Sequence, residues 1–335
     1  MIKYIGSKRV LLSEIEGKVD KSKHNTFVDL FSGTSRVGHM MKKKGYSVIA
    51  NDYAEYAKVL ADTYVLADRK LYLPKVKSLV EQYNSSQEKL DGYFTETFCR
   101  QSKYFHVDNG QKIDWVRESI ETITDSTLKS IMLTSLMEAA DRVDSTAGIQ
   151  MAYVKKPPKR FFNHLHLRVP DMVDSVAGNV YQSHKGDSNE FVKNISADVI
   201  YVDPPYNQHS YLGNYHIWET LCLWDKPAHY GVACKREDTK VNKSDYNFKR
   251  KAFSAMKDLV SNINCKRAII SFNDEGYINR IEMESLLKPL GSLTIYSIPH
   301  KRYVGSKIGI HNRQGVKVGK ASHPMCNEFI YVLDF

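Results

Sequence analysis

The stretch Asp203-Pro204-Pro205-Tyr206 combines residue types that can hold a planar amino group. It follows residues 198–202, a run rich in β-branched residues that predicts a buried strand, so it lies at a strand's carboxyl end. The prolines remove backbone donors and keep the preceding residues extended, which leaves main-chain carbonyls free to accept hydrogen bonds. The carboxylate and the carbonyls suit an amino group, and the tyrosine ring suits its heterocycle. A proline-stiffened turn with a core tyrosine is the structural alternative.

A βαβ unit near the amino terminus is the second candidate site. One predicted strand ends at Asp29, a turn of small residues contains Gly33, and a second predicted strand ends at Asp52. An acid about 20 residues beyond such a turn meets ribose hydroxyls in dinucleotide-binding units. Ser35 stands where G-x-G-x-x-G requires a second glycine, which disfavours a pyrophosphate ligand. A nucleoside without phosphates, such as S-adenosylmethionine, fits better, with Asp29 pairing the ammonium of the cofactor or capping the next turn.

Lys8 follows a predicted turn at Gly6-Ser7 and precedes a helix with apolar periodicity. A lysine at a helix start is unfavourable beside the helix dipole, so this position favours an approaching carboxylate or phosphate. A solvated surface lysine is the alternative.

The chain has 335 residues, a net charge of +10 and a pI near 9.1, which indicates a polyanionic partner. Charge alone leaves DNA, ribosomal and membrane-surface partners open. The five cysteines form no C-x-x-C pair, so neither a metal site nor a disulfide framework is predicted. No segment is apolar enough over sufficient length to cross a bilayer, and we expect a cytoplasmic protein.

Patterning divides the chain into a core and an insertion. Residues 1–67 and 180–335 alternate between strand and helix patterns, whereas residues 68–179 predict an inserted helical subdomain. The chain ends with a predicted hairpin over residues 307–318 and a final strand over residues 328–333.

Basic and aromatic residues in two regions are candidates for nucleic-acid contact. Lys155, Lys156, Lys159 and Arg160 form a proline-stiffened run, for which a solvated loop is the alternative. Residues 207–250 form a second candidate segment, rich in side chains that stack on bases or pair with phosphates. Residues 95–165, which contain the basic run, add Arg100, and residues 207–250 add Tyr211, Asn214, Tyr215, Lys235, Arg236 and Lys243.

Taken in order, these motifs resemble those of the Dam-like (alpha-class) adenine-specific DNA methyltransferases. The segments that carry the resemblance are residues 4–8, 29–34, 52, 186–187, 203–206, 271–276 and 305–331. Two departures are Ser35, in place of the second glycine, and Phe272, where a tyrosine is common.

The resemblance implies an α/β fold, the Rossmann-like S-adenosylmethionine-dependent methyltransferase fold, with a mostly parallel seven-stranded sheet and a target-recognition insertion. Its substrate would be double-stranded DNA, and a restriction endonuclease is an option as functional partner. Asp203 and the Pro204 carbonyl would accept hydrogen bonds from the amino group of a flipped adenine, on which Tyr206 would stack. The cofactor contacts implied are Tyr4, Lys8, Asp29, Phe31, Ser32, Gly33, Thr34, Asp52, Tyr53, Asp187 and Asp203.

Other classes use similar residues. RNA and protein-amide methyltransferases also act on planar amino nitrogens, and a DNA-binding regulator could retain a decayed methylase scaffold. A nicotinamide dehydrogenase is disfavoured by the single glycine in the loop.

Overall fold

The computed structural model describes residues 1–301, 310–311, 317–319 and 325–335. The strands in chain order are β1 (Thr26–Asp29), β2 (Ser47–Asp52), β3 (Tyr181–Lys185), β4 (Ala197–Val202), β5 (His229–Tyr230), β6 (Lys235–Arg236), β7 (Cys265–Asn273), β8 (Ser292–Lys301), β9 (Ile310–His311), β10 (Lys317–Gly319) and β11 (Met325–Asp334).

A seven-stranded sheet in the order β3-β2-β1-β4-β7-β11-β8 forms the centre of the molecule. The first five strands in this order pair in parallel, and β11 pairs antiparallel with both β7 and β8. The mostly parallel seven-stranded sheet predicted from sequence is therefore confirmed. The chain builds outwards from β1 to β3 and then returns to β4, so a topological switch point lies between β1 and β4.

Helices cover both faces of the sheet. They are α1 (Leu12–Glu16), α2 (Arg36–Lys43), α3 (Glu55–Ala61), α4 (Arg69–Ser85), α5 (Tyr93–Thr95), α6 (Val107–Glu121), α7 (Ser126–Val143), α8 (Ser188–Val192), α9 (Tyr211–Asn214), α10 (His216–Leu223), α11 (Lys249–Ser261) and α12 (Arg280–Leu287).

The central strands are apolar at successive positions because both of their faces are buried. Phe27 and Val28 are adjacent in β1, yet Phe27 packs in the layer with α1 and α2, while Val28 packs in the layer with α8, α11 and α12. Ile269 and Ile270 in β7 divide between the same two layers. This burial on both faces explains why the predicted strands lack an alternation of polar and apolar residues.

Residues 68–179 contain α4 to α7 and no strand. Their apolar side chains share one core with α3 and α10, to which Tyr56, Tyr215 and Trp218 contribute. The insertion therefore packs onto the helix that follows β2 and the helix that follows the Asp203 turn. Its role in target recognition stays a prediction.

The end of the chain agrees in part with the sequence prediction. β9 and β10 pair antiparallel, as a hairpin requires, whereas the predicted turn at residues 312–315 lies outside the described residues. β11 is longer than the predicted strand because it pairs with β8 along its whole length. Cys99, Cys222, Cys234 and Cys265 are free thiols.

Arg117 joins the insertion to the helix that follows the Asp203 turn. This α6 side chain is 1% exposed, and its guanidinium donates from Nε to Leu221 O at 2.6 Å and from Nη2 to Cys222 O at 3.2 Å. These carbonyls belong to the last turn of α10, which cannot satisfy them within the helix.

We expect Arg117→Ala to lower the free energy of unfolding by about 2–4 kcal/mol, because it leaves buried carbonyl oxygens without donors. Chemical denaturation followed by circular dichroism measures this change. Lys89→Ala is the matched control, since its exposed pair with Asp108, at the start of α6, should contribute less than about 1 kcal/mol. Equal decreases in the free energy of unfolding in the two variants would contradict this role of Arg117.

Candidate active site

A cavity of about 850 Å³ opens at the carboxyl ends of β1, β2, β3 and β4, beside the switch point. Every residue predicted to contact the cofactor lines it, namely Tyr4, Lys8, Asp29, Phe31, Ser32, Gly33, Thr34, Asp52, Tyr53, Asp187 and Asp203. The structure thus brings together side chains that are up to 199 positions apart in the sequence. Parallel strands explain this meeting, because their carboxyl ends share one edge of the sheet.

The loop after β1 forms the floor of this cavity. Gly33 has a φ of +50° and donates its N–H to Asp52 Oδ2 at 2.8 Å. A Cβ at Gly33 would lie 3.3 Å from the ring of Tyr4, so the loop and this ring are closely apposed. Ser35 has a φ of 56° and donates its N–H to Ser32 O at 2.6 Å. Serine therefore occupies the left-handed conformation that favours glycine, and the loop closes without a second glycine.

Two acids line this cavity, the buried Asp29 and the half-buried Asp52. The pKa of Asp29 is raised to about 7, mainly by burial and in smaller part by the Asp203 carboxylate. The Gly38 N–H, which donates to Asp29 Oδ2 at 2.9 Å, acts in the opposite direction. Burial also raises the pKa of Asp52, against hydrogen bonds from the N–H groups of Ala54, Gly33 and neighbouring Tyr53. A cation in the cavity would stabilise both carboxylates.

Asp187 is placed differently from these two acids. It is exposed and caps α8 by accepting hydrogen bonds from the N–H groups of Asn189 at 2.9 Å and Glu190 at 3.2 Å. It still lines the cavity.

Lys8 is buried, so the alternative of a solvated lysine is wrong. Its Nζ lies 3.0 Å from Asp203 Oδ1 and 2.9 Å from Glu328 Oε1, and it donates to Tyr206 Oη at 3.3 Å. The anion expected from sequence is therefore supplied by the chain's own carboxylates. Burial would lower the pKa of Lys8, but Asp203, Tyr206 and Glu328 together raise it well above its usual value.

Glu328 is a site residue that sequence reasoning missed. It is 4% exposed in β11, and Ser271 in β7 donates to its Oε1 at 2.9 Å. No local pattern marks it, because its role depends on the antiparallel insertion of β11 beside β7. Burial raises the pKa of Asp203 to about 6, while Lys8 lowers it and Glu328 raises it.

A second cavity of about 310 Å³ lies next to the first and includes the ring of Tyr206 in its lining. Tyr4, Lys8 and Pro205 line both cavities, so the tetrapeptide and the amino-terminal segment form the wall between them. The Phe272 ring packs edge-on against Tyr206 with centroids 5.3 Å apart, a contact that needs no hydroxyl.

The tyrosines expected at DNA form a stack behind the active site. Tyr4 lies parallel to Tyr211 and Tyr215, with centroid distances of 5.2 Å and 4.5 Å. Tyr211 lines both cavities, but Tyr215 and Asn214 are 1% and 3% exposed. The burial of both side chains argues against the predicted direct contact of Tyr215 and Asn214 with DNA.

The basic residues predicted to contact DNA are buried in some cases and exposed in others. Arg236 is 3% exposed and pairs with Asp225 at 2.7 Å and Asp238 at 2.8 Å, so its burial argues against phosphate contact. Arg100 is exposed but forms a forked pair with Asp91, at 2.7 Å and 2.6 Å.

Five other basic residues remain nearer to solvent. Lys155, Lys156 and Lys159 are exposed, whereas Arg160 is half-buried and pairs with Asp144 at 3.1 Å. Lys235 is half-buried, with its Nζ 2.9 Å from Met151 Sδ.

A segment from Asn242 to Asn247, here called the strap, lines the larger cavity, and Lys243 is exposed on it. Tyr246 packs edge-on against Phe31 at 5.6 Å. Asn247 Nδ2 donates to the carbonyls of residues 207 and 209 at 2.8 Å and 3.2 Å, beyond the tetrapeptide. Sequence reasoning placed this segment over a polyanion, whereas the structure places it at the cavity.

Comparison with known proteins agrees with this geometry. A model described as "D12 class N6 adenine-specific DNA methyltransferase" matches residues 4–286. The chain belongs to this family. The D12-class assignment agrees with the resemblance predicted from the sequence motifs.

Curated relatives of this D12-class chain are named as methylases. Modification methylase StsI of Streptococcus sanguinis is 32% identical over 330 residues, which cover 92% of this chain and 50% of the relative. Type II methyltransferase M.FokI of Planomicrobium okeanokoites is 29% identical over 324 residues, which cover 90% of this chain and 50% of the relative. The chain spans about half the length of these two relatives. Type II methyltransferase M.NlaIII of Neisseria lactamica is 28% identical over 325 residues, covering 93% and 95%.

The described part of the D12-class chain contains neither a cluster of metal ligands nor a membrane-spanning helix. Within the described ranges, no group of three or more histidine, cysteine, aspartate or glutamate side chains could hold a metal ion. Among the same residues, no helix is long and apolar enough to span a bilayer.

In this D12-class chain, Glu328→Gln should move the acid limb of kcat/KM for methyl transfer to lower pH by about one unit. Removal of the Glu328 charge lowers the pKa of Asp203 from about 6, and Asp203 accepts hydrogen bonds fully only when it is deprotonated. The measurement is kcat/KM against pH. Glu14→Gln, which removes a half-exposed carboxylate, is the control, and an unchanged limb in Glu328→Gln would contradict this coupling.

Proposed function

We propose that the protein transfers a methyl group from S-adenosylmethionine to the exocyclic amino group of an adenine in a short recognition sequence of double-stranded DNA. The observation that carries this proposal is the position of Asp203 and Tyr206. The tetrapeptide stands between a large cavity with acidic walls and a smaller one beside an aromatic ring. Such a wall suits transfer from a cationic donor on one side to a planar acceptor on the other.

The larger cavity fits the cofactor in charge and in polar groups. Asp29 suits the ammonium, and Asp52, fixed by two backbone N–H groups, suits the ribose hydroxyls. The buried Oγ atoms of Ser7 and Ser32 have no hydrogen-bond partner among the described residues, so both can bind a ligand. When bound, S-adenosylmethionine supplies a methyl group on a positively charged sulfonium, which is an excellent leaving group.

On the acceptor side, we propose that Tyr206 stacks on an adenine rotated out of the duplex. Lys8 contacts Oδ1 of Asp203, so the other carboxylate oxygen and the Pro204 carbonyl can accept hydrogen bonds from the amino group. These bonds orient the nitrogen lone pair towards the donor cavity. The Asp203 charge also stabilises the positive charge that develops on the nitrogen during transfer.

Asp203→Ala should reduce methyl transfer by at least about 1000-fold, because it removes both the hydrogen bond and the charge. Cofactor affinity, measured by calorimetry, should stay within a few-fold of wild type, since Asp29 and Asp52 remain. Tyr206→Phe keeps the stacking ring and should retain far more activity than Tyr206→Ala. Full methyl transfer by Asp203→Ala, measured with labelled cofactor and duplex DNA, would overturn the assignment.

The basic run supports a polyanionic substrate. Lys155, Lys156 and Lys159 are exposed, and the same loop joins the active site because Gln150 N donates to Asn214 O at 2.7 Å. We propose that these lysines and the exposed Lys243 contact DNA phosphates, and that Tyr211, which lines both cavities, lies at the entrance for the flipped base. The reaction would take place on cytoplasmic DNA, with a restriction endonuclease as functional partner.

Replacing Lys155, Lys156 and Lys159 together by alanine should reduce the slope of log K against log salt for duplex binding by about 2–3. Binding to unrelated sequences should weaken equally, because phosphate contacts carry no base information. The control replaces Lys23, Lys193 and Lys266, which are exposed near the amino ends of β1, β4 and β7. An equal change of slope in both triple variants would refute a localised interface.

Modification-sensitive sequencing of DNA from cells that express the protein tests the function as a whole. The expected result is N6-methyladenine in one short sequence context, absent with Asp203→Ala. Labelling of RNA or of protein amides instead of DNA would favour those alternatives, and cofactor-independent DNA binding without transfer would favour a regulator.

A further inference from the structure

The methionine portion of S-adenosylmethionine carries a carboxylate as well as an ammonium, and the residues assigned so far provide only for the ammonium. Lys8 lines the cavity, but its Nζ is held by Asp203 and Glu328. Lys243 and Arg250 also line it, but both are exposed to solvent. Lys251 lines it too, but pairs with Asp245 at 2.8 Å. A carboxylate that leaves water for this cavity needs a cation or several donors.

Arg36 is a cation in the right place. It is the first residue of α2, directly after the loop that contains Gly33, and it lines the larger cavity. Its Nε is buried and has no hydrogen-bond partner among the residues that the structure describes. Burial lowers the pKa of Arg36 and nearby Arg9 lowers it further, while Tyr64 and Glu138 raise it without offsetting the first two effects. A further anion in the cavity would therefore stabilise the guanidinium.

Ser32 provides a second, independent observation. It is 7% exposed and lines the same cavity, and its buried Oγ lacks a partner within the described ranges. The bond from Ser35 N to Ser32 O folds the loop back just before α2 begins. The N–H groups of the first turn of α2 add a partial positive charge, which also favours an anion.

The acid for the ammonium lies at the same end of α2. Asp29 Oδ2 accepts from the N–H of Gly38, which is two residues beyond Arg36 in the helix. An acid and an arginine that both line the larger cavity thus lie next to the first turn of α2.

We propose that Arg36, assisted by the Ser32 hydroxyl, binds the carboxylate of the cofactor's methionine portion while Asp29 binds its ammonium. This inference rests on the proposed function, because it takes S-adenosylmethionine as the ligand. Arg36 is a binding residue for the cofactor and takes no part in the chemistry of transfer. The exposed Arg9 beside it is left for other contacts, such as a DNA phosphate.

The test compares ligands with and without the carboxylate by calorimetry on the full chain. Arg36→Gln should weaken binding of S-adenosylmethionine by about 10-fold to 100-fold, as expected for loss of a hydrogen bond between charged groups. Binding of decarboxylated S-adenosylmethionine, which keeps the ammonium and the sulfonium, should change less than about 2-fold. The affinity of Arg36→Lys for S-adenosylmethionine should lie between those of the wild type and Arg36→Gln, because lysine keeps the charge but loses the forked geometry.

The other outcomes would contradict either the role of Arg36 or the proposed function. Equal weakening of both ligands by Arg36→Gln, or no weakening of either, overturns the proposal for Arg36. Loss of duplex affinity with unchanged cofactor binding also overturns it and assigns Arg36 to DNA. Failure of the wild-type chain to bind S-adenosylmethionine would instead refute the proposed function. Thermal unfolding of each variant confirms that any loss of binding occurs in folded protein.

Discussion

The buried ion pairs of Lys8 with Asp203 and Glu328 are the interaction on which the site depends. An ammonium group enclosed by protein is strongly destabilising unless it is paired, so these contacts must form together. They tie the amino-terminal segment to the end of β4 and to the antiparallel β11. The orientation of Asp203 is thereby set before any ligand binds, which is the condition for electrostatic catalysis without reorganisation.

The same enclosure gives the large cavity its chemical character. The pKa values of Asp29 and Asp203, about 7 and about 6, show that the chain holds carboxylates where ionisation is costly. A cationic ligand would relieve this cost, so part of its affinity would come from charges already in place. The tetrapeptide separates this cavity from the smaller one beside Tyr206, as the proposed transfer from a donor to an acceptor requires.

Sequence reasoning failed where one residue type serves two purposes. Tyrosine, asparagine and arginine occur in nucleic-acid surfaces and also in buried networks, and composition cannot distinguish these uses. Tyr215 and Arg236 belong to the buried class, since one stacks on Tyr4 and the other is enclosed by two aspartates. Ser35 shows a related limit. A rule about glycine describes a preference for left-handed backbone, and surrounding structure can hold a serine there.

By itself, the sequence determined the strands, the turns and the acids at their carboxyl ends, because β-branched runs, prolines and small-residue turns act locally. Motif order was enough to indicate the fold and the family. Only the tertiary structure decided the partners of Lys8, the position of the strap, and the burial of the Arg36 Nε away from any hydrogen-bond partner among the described residues. Those features depend on strand order and on enclosure by distant segments. Glu328 lies 320 positions from Lys8, and local patterns carry no information over that distance.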